Sequence, residues 1–578
     1  MRSSVLLPSL AVFGVGLCAA VAAERLRTPE EVVQWTREHA VPLTAVEAGR
    51  GFADLEPLRQ MIGSARVVAL GEATHGSREV FQMKHRLLEF LATELGFTVL
   101  AVEANLPEAR RVNDYVIDGK GDLAAVLRGL YFSTWRSEEV FAMVEWMRRF
   151  NVDAGHRRAD RQVVFAGFDM QEPDVAMTAV QDYVARRDSD WAPKVAEAKQ
   201  SLAGVQPRDP VGMAISSFPV ELVRGRRIVF SGWIKTENVR DGYAGLLWRA
   251  DTAAKSAAAL ANMYHTGPRG TTGWKRYEIA LDVPADTVVV QFGLLLEGKG
   301  IAWFDDLEIT IDGAPYHPGG EFDFEFERDG LVGFHASRHS YRARTVAQPH
   351  RGNRSLEFTS VDQGEDTSRR AGELWREIEE HLRAAVASGM ATPDARYAAQ
   401  CARVMNQFLA LNSPDRRHSG PEMRDDSMAE NVKWILDENP GAKIVLWAHN
   451  GHVRRGDAAM GGFLAERLSD EMVVVGFATG SGSYQAWSDQ GPAAFPLQPP
   501  IEGSVEAVLA ATRVPRFVVD LRPARAGGPA HWFAEPHPHR LIGGGEVKSQ
   551  FEVRRPVARD YDLLFWIGET SASVTRPR

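Results

Sequence analysis

Residues 66–105, RVVALGEATHGSREVFQMKHRLLEFLATELGFTVLAVEAN, constrain the fold more than any other stretch of this chain. They open on a short apolar run, 67–70, of the length of a buried strand. A polar loop follows, Gly71-Glu72-Ala73-Thr74-His75-Gly76-Ser77. Val80, Phe81, Met83, Leu87, Leu88, Leu91 and Leu95 then recur at threes and fours, which predicts a helix. Gly96 stops it. A second apolar run, 98–102, ends in Glu103. This is β-loop-α-β, a parallel pair joined by a right-handed crossover. Ligands of open parallel sheets bind beyond the carboxyl ends of the strands. Glu72, His75 and Glu103 are therefore delivered to one sheet edge.

A distant stretch adds to that edge. Residues 443–447 form another buried-strand run, and Ala448-His449-Asn450-Gly451-His452 leaves it directly. A third strand, 162–166, runs into Gly167-Phe168-Asp169, which makes Asp169 a candidate for the same edge. Each of these residues taken singly is ordinary. Their joint placement after strands points to a functional site.

Several segments resemble the erythromycin esterase family. They are GEATHGSREVFQMKHRLLEFL, AVEAN, YFSTW at 131–135, GFDMQ at 167–171, RDDSMAENVKWIL at 424–436 and WAHNGHV at 447–453, in the family's order. The resemblance covers about residues 30–200 and 365–570. It implies an α/β hydrolase acting on esters, without a nucleophilic serine, metal or other cofactor. It places the site at Glu72, His75, Glu103, His449 and His452. The family has an arginine nine residues after the first histidine. Here Lys84 stands there, and a lysine cannot form a guanidinium's bidentate fork.

Ester hydrolysis needs an activated water, support for the oxyanion and a proton for the leaving alkoxide. No G-x-S-x-G occurs, so the serine elbow is absent. Water is the expected nucleophile, activated by a general base or a metal. His75 is the expected base, because histidine ordinarily titrates near neutral pH. Glu72 or Glu103 would orient its ring. His449 would protonate the leaving group or donate to the oxyanion. Arg424 and Lys84 would supply positive charge, with Asp425 and Asp169 as supporting groups. The rival is a zinc or manganese site built from His75, Glu103, His449 and His452. A further alternative is a non-catalytic envelope protein that binds polysaccharide. The substrate class is a small-molecule ester or lactone. A macrolide lactone is one candidate within it, and nothing in the sequence specifies a macrolide pocket.

The rest of the chain sets the context. Of 578 residues, 44% are hydrophobic and the net charge is −9, which is globular and gives no basic excess for nucleic acid. Arg2, an apolar run at 6–20 and Val21-Ala22-Ala23 predict a signal peptide over 1–23. The run is too short for a membrane span. Bulky Leu17 before Cys18 disfavours lipidation. A periplasmic or secreted protein follows, with no membrane span after cleavage. The mature chain keeps one cysteine, Cys401, and so no intrachain disulfide.

Near Gly204 the periodicity changes to that of strands. The runs 227–235, 243–249, 274–282, 287–295 and 301–311 predict a β-sandwich. SGWIK and GIAWFDDLEI resemble a carbohydrate-binding jelly roll, and 322–334 resembles the opening strand of such modules. Trp233, Trp248, Trp274 and Trp303 are candidate stacking platforms for a carbohydrate, with core packing as the alternative. Helical patterns resume at Thr367. The expected organisation is an α/β core with a mostly parallel sheet flanked by helices, in two parts, 24–204 and 363–578. An all-β jelly-roll-like sandwich, 205–362, is inserted between them.

Overall fold

The structure is a computed structural model. It describes residues 29–576 except 154–160, 203–210, 253–257, 329, 337–340, 361–364, 390, 413–420, 489–490, 546, 548–549 and 552–553. The expected signal peptide, 1–23, lies outside the described residues.

The core is one nine-stranded sheet. Its elements, in chain order, are β1 (Val41–Pro42), β2 (Val67–Leu70), helix α1 (Arg78–Leu95), β3 (Phe97–Asn105), β4 (Val164–Asp169), helix α2 (Pro421–Glu438), β5 (Lys443–Trp447), the short helix α3 (Asn450–Val453), β6 (Met472–Ser488), β7 (Gly491–Pro496), β8 (Arg516–Asp520) and β9 (Leu563–Thr570). The strand order is β1-β8-β9-β6-β2-β5-β3-β4, with β7 paired to β6. From β9 to β4 every neighbouring pair is parallel. The pairs involving β1, β7 and β8 are antiparallel.

Alternation along the strands explains the layering. Val67 and Ala69 of β2 join one apolar core, while Val68 and Leu70 join another on the opposite face. A sheet buried on both faces needs apolar residues at every position, as β2 has. Helices cover both sides, so the α/β architecture expected from the sequence is present. Helix α1 is buried around most of its circumference and stops at Gly96, whose φ of 72° is the left-handed conformation that glycine adopts without strain.

One expectation needs correcting. β2 and β3 are parallel but not neighbours. β5 lies between them, bonded to both. The crossover through α1 skips one position, and a strand from far later in the chain fills it.

Between Val211 and Ser360 the strands are antiparallel throughout. One sheet holds Val211–Ser217, Ala244–Thr252, Ala259–Asn262, Thr287–Glu297 and His335–Ala336; the other holds Arg227–Arg240, Gly270–Asp282, Lys299–Ile311, Ala314–Pro315, Tyr341–Val346 and Ser355–Ser360. Both contribute to one apolar core that includes Trp248, Phe292, Phe230 and Phe304. The described residues of 322–334 do not form a strand. Phe322, Phe324, Phe326 and Phe334 instead enter the core from an irregular segment. Burying four aromatic rings outweighs the missing ladder bonds.

Candidate active site

The site begins where β2 ends. His75 Nδ1 lies 2.7 Å from Glu72 Oε1. A carboxylate only accepts, so Nδ1 carries the proton and Nε2 the lone pair. No hydrogen bond reaches His75 Nε2 among the described residues. The second oxygen of Glu72 accepts from Lys84 Nζ at 2.7 Å and from Trp447 Nε1 at 2.7 Å. Glu72 and Lys84 are buried, with side chains 1% and 0% exposed. Burial opposes charge on Glu72, but Lys84 and His75 outweigh it and hold the carboxyl below its ordinary value. Burial also brings Lys84 down to about 8, against the pull of Glu72. Lys84 Nζ sits 4.5 Å from the Trp447 ring centre. It therefore fixes Glu72 from behind. The direct cationic support for an oxyanion expected of it does not fit this position, because α1 presses it into the sheet edge.

β5 carries the chain between the two carboxylates. His449 caps α3, and its Nδ1 accepts from Gly451 N–H at 3.1 Å. The proton is thus on Nε2, which donates to Ile542 O at 3.1 Å. Burial, with His75 and His452 nearby, lowers its pKa to about 3. A neutral ring with both nitrogens engaged is poorly placed to protonate a leaving group. The expected donor role for His449 gives way to positioning. Its backbone N–H does donate to Glu103 Oε2, at 2.9 Å.

Glu103 is the centre of a second network. Its Oε1 accepts from Arg424 Nη2 at 2.8 Å and lies 3.3 Å from His452 Nε2. Arg424 also binds Asp169 through Nε at 3.2 Å and Nη2 at 2.7 Å. Asp425 receives His452 Nδ1 at 2.9 Å and Met460 N–H at 2.7 Å. Burial works against the His452 cation, yet Glu103 and Asp425 raise its pKa to about 10. The two carboxylates thus favour the imidazolium form. Arg424 Nη1 is 3.1 Å from His452 Nε2; a guanidinium only donates, so this contact calls on the ring's lone pair and works against the cation that Glu103 and Asp425 favour. The same cations hold Glu103 well below its usual value, although burial pushes the other way.

His75, Glu103, Arg424 and His452 line one cavity of about 660 Å³. Glu72, Lys84, Asp169, Asp425 and His449 stand behind them. The upper wall comes from residues to which the sequence assigned no role: Tyr131, Thr134 and Arg136 from one loop, Gln171 after β4, and Gln485, Trp487 and Pro492 from the β6–β7 hairpin. YFSTW and GFDMQ carried part of this wall as motifs, but the hairpin has no local signature.

The chain after β9 ties these walls together. Ser573 N–H donates to Gly76 O, next to His75, and Arg576 N–H donates to Arg136 O. Gln485 Nε2 donates to Ser573 O at 3.0 Å. Gly76 is needed for the close approach: a Cβ there would lie 2.0 Å from Gln485 O.

The proposed metal ligands are brought close but are not aimed at a common point. Glu103 Oε1 and Oε2, His452 Nδ1 and both nitrogens of His449 already have protein partners. No group of three or more such side chains is arranged to hold a metal among the described residues. Cys401 is fully buried, and burial raises its thiol to about 12. It is no nucleophile.

A family model described as erythromycin esterase matches residues 92–278 and 334–570. The chain belongs to the erythromycin esterase family. The match includes Glu103, Asp169, Arg424, Asp425, His449 and His452, and starts after Glu72, His75 and Lys84. An erythromycin esterase type II from Escherichia coli is 31% identical over 140 residues, which cover 24% of this chain and 31% of that enzyme. A putative hydrolase, YbfO, from Bacillus subtilis (strain 168) is 20% identical over 93% of this chain and 91% of its own length. A mutant erythromycin esterase, EreC, solved in its open conformation, superposes with a TM-score of 0.51 at 13% identity, covering 92% of this chain and 97% of that one. The structural likeness establishes a shared fold.

Proposed function

We propose that the protein hydrolyses a carboxylic ester or lactone with water as nucleophile and His75 as general base. One observation carries the reading. Glu72 fixes the proton on His75 Nδ1, so the lone pair of Nε2 is left on a ring that lines the cavity. Nε2 takes a proton from water as its oxygen bonds to the ester carbonyl. The C–O bond to the alcohol then breaks, and the same proton passes to the departing alkoxide. The products are acid and alcohol, and the base is regenerated. The His452 imidazolium and the Arg424 guanidinium line the same cavity and would oppose the oxyanion's charge.

The reading is metal-independent, because both oxygens of Glu103 and both nitrogens of His449 are engaged by other protein groups, which leaves His75 Nε2 for the water. It places the protein outside the cytoplasm, following the N-terminal sequence pattern. It also narrows sugar binding by the antiparallel sheets. Trp248 and Trp303 are buried core residues. Trp233 and Trp274 both flank His350, with ring centres 3.7 and 5.9 Å away, and are the remaining candidates.

The test is a screen over lactones, aryl esters and acylated sugars, with and without exhaustive chelation. Activity that survives chelation and is lost in His75→Ala supports the reading. Loss on chelation with recovery on adding zinc or manganese would make the histidines ligands. Full activity in His75→Ala would reject the site.

A further inference from the structure

Two of the most exposed aromatic side chains among the described residues, Tyr131 at 57% and Trp487 at 43%, line the catalytic cavity. Neither is there by default. Tyr131 has a φ of 70°, a left-handed conformation costly for a residue with a large side chain. The nearby Glu172 carboxylate holds its hydroxyl above the ordinary phenol value. Trp487 is held through its backbone: its N–H donates to Gly544 O at 3.0 Å, and Gly544 lines the cavity too. Large apolar faces left in water at a cavity mouth are an uncompensated cost in the free protein, and a ligand that covers them removes it.

Among the groups beside them, Gln171 and Thr134 are polar and neutral, and Arg136 adds a guanidinium. Gln171 Nε2 donates to Asp169 Oδ2 at 2.7 Å, which orients its amide and leaves Oε1 as an acceptor. Thr134 adds a hydroxyl to the same wall. Aromatic faces with neutral hydrogen-bonding groups alongside suit a molecule with an apolar face and a hydroxylated edge. A pyranose ring has that shape: its C–H bonds lie on one face and its hydroxyls around the rim. An aryl group would use the aromatic faces and leave Gln171 and Thr134 idle.

We infer that the ester cleaved is an acylated saccharide, with Tyr131 and Trp487 stacking on its sugar ring. The inference rests on the esterase reading, and its test separates the two. The substrates are 6-O-acetyl methyl glucoside, 4-nitrophenyl acetate and ethyl acetate. The wild type should have a higher kcat/KM for the sugar ester than for ethyl acetate. Tyr131→Ala and Trp487→Ala should each cut that preference about five- to tenfold, mainly through KM, as loss of an aromatic contact does. Trp487→Phe keeps an aromatic face and should retain most of it. Hydrolysis of 4-nitrophenyl acetate without preference for the sugar ester would overturn the substrate class and leave the esterase intact. A preference unchanged in both alanine variants would overturn it as well. If no ester is hydrolysed, the esterase reading fails, and calorimetric titration with methyl glucoside decides the rest. Binding weakened in Tyr131→Ala supports a saccharide site, and absence of binding overturns it.

Discussion

The parallel core and the antiparallel region spend charge in opposite ways. In the core, a cluster of ionised groups sits at one sheet edge with both partners buried, as in the Lys84–Glu72 pair at 0% and 1% exposure. In the antiparallel region, some ion pairs lie in water, as in Arg227–Asp282 at 58% and 76%, and others bury only the carboxylate, as in Arg344–Glu357 at 60% and 7%. The reason is geometric. Parallel strands all end on the same side, so Glu72, Glu103, Asp169 and His449 converge. Antiparallel strands end alternately on two sides, and polar residues spread over the surface. A buried cluster costs several kcal/mol of desolvation per charge and must be almost fully paired. That makes every member sensitive to loss. The exposed pairs carry no such liability.

The largest effect that can test this contrast is on rate. His75→Ala should lower kcat by about 10²–10⁴-fold on any ester found, the range for a positioned general base. Its circular dichroism melt should stay near that of the wild type. Lys84→Met comes next. It leaves the Glu72 carboxylate buried with a partner missing, which costs about 3–5 kcal/mol in such pairs, and urea unfolding would measure it. A loss under about 1 kcal/mol would show that the pair is not the buried unit described.

A pH profile sharpens the same comparison. Lys84 titrates near 8, so raising the pH through that value removes the charge supporting Glu72. kcat/KM should decline there. The depressed pKa makes the unfolded chain hold the proton more tightly, so between about 8 and the ordinary 10.5 this group raises stability with pH. Activity should thus fall while the fold persists. Lys84→Arg stays charged at these pH values and should remove the decline. The smallest effect belongs to the antiparallel region. Arg227→Ala should cost no more than about 1 kcal/mol, with kcat/KM unchanged. A larger loss would undo the contrast.

The reach of local patterning sets what could be read directly. Apolar runs, helical spacing and the residues leaving each strand determined the α/β core, the antiparallel region and the grouping of Glu72, His75, Glu103, Asp169, His449 and His452, while Arg424 was marked by the family resemblance. These are short-range features, carried by periods of two and 3.6 residues. Four things were decided only in three dimensions. β5 inserted between β2 and β3, because strand order follows packing and not chain order. Burial turned Lys84 from an expected oxyanion cation into a support for Glu72. Backbone partners at Gly451 and Ile542 left His449 neutral, and the hairpin carrying Trp487 came to face the cavity through contacts with chain far from it in sequence. Each depends on which groups meet across long separations, and no local period encodes that.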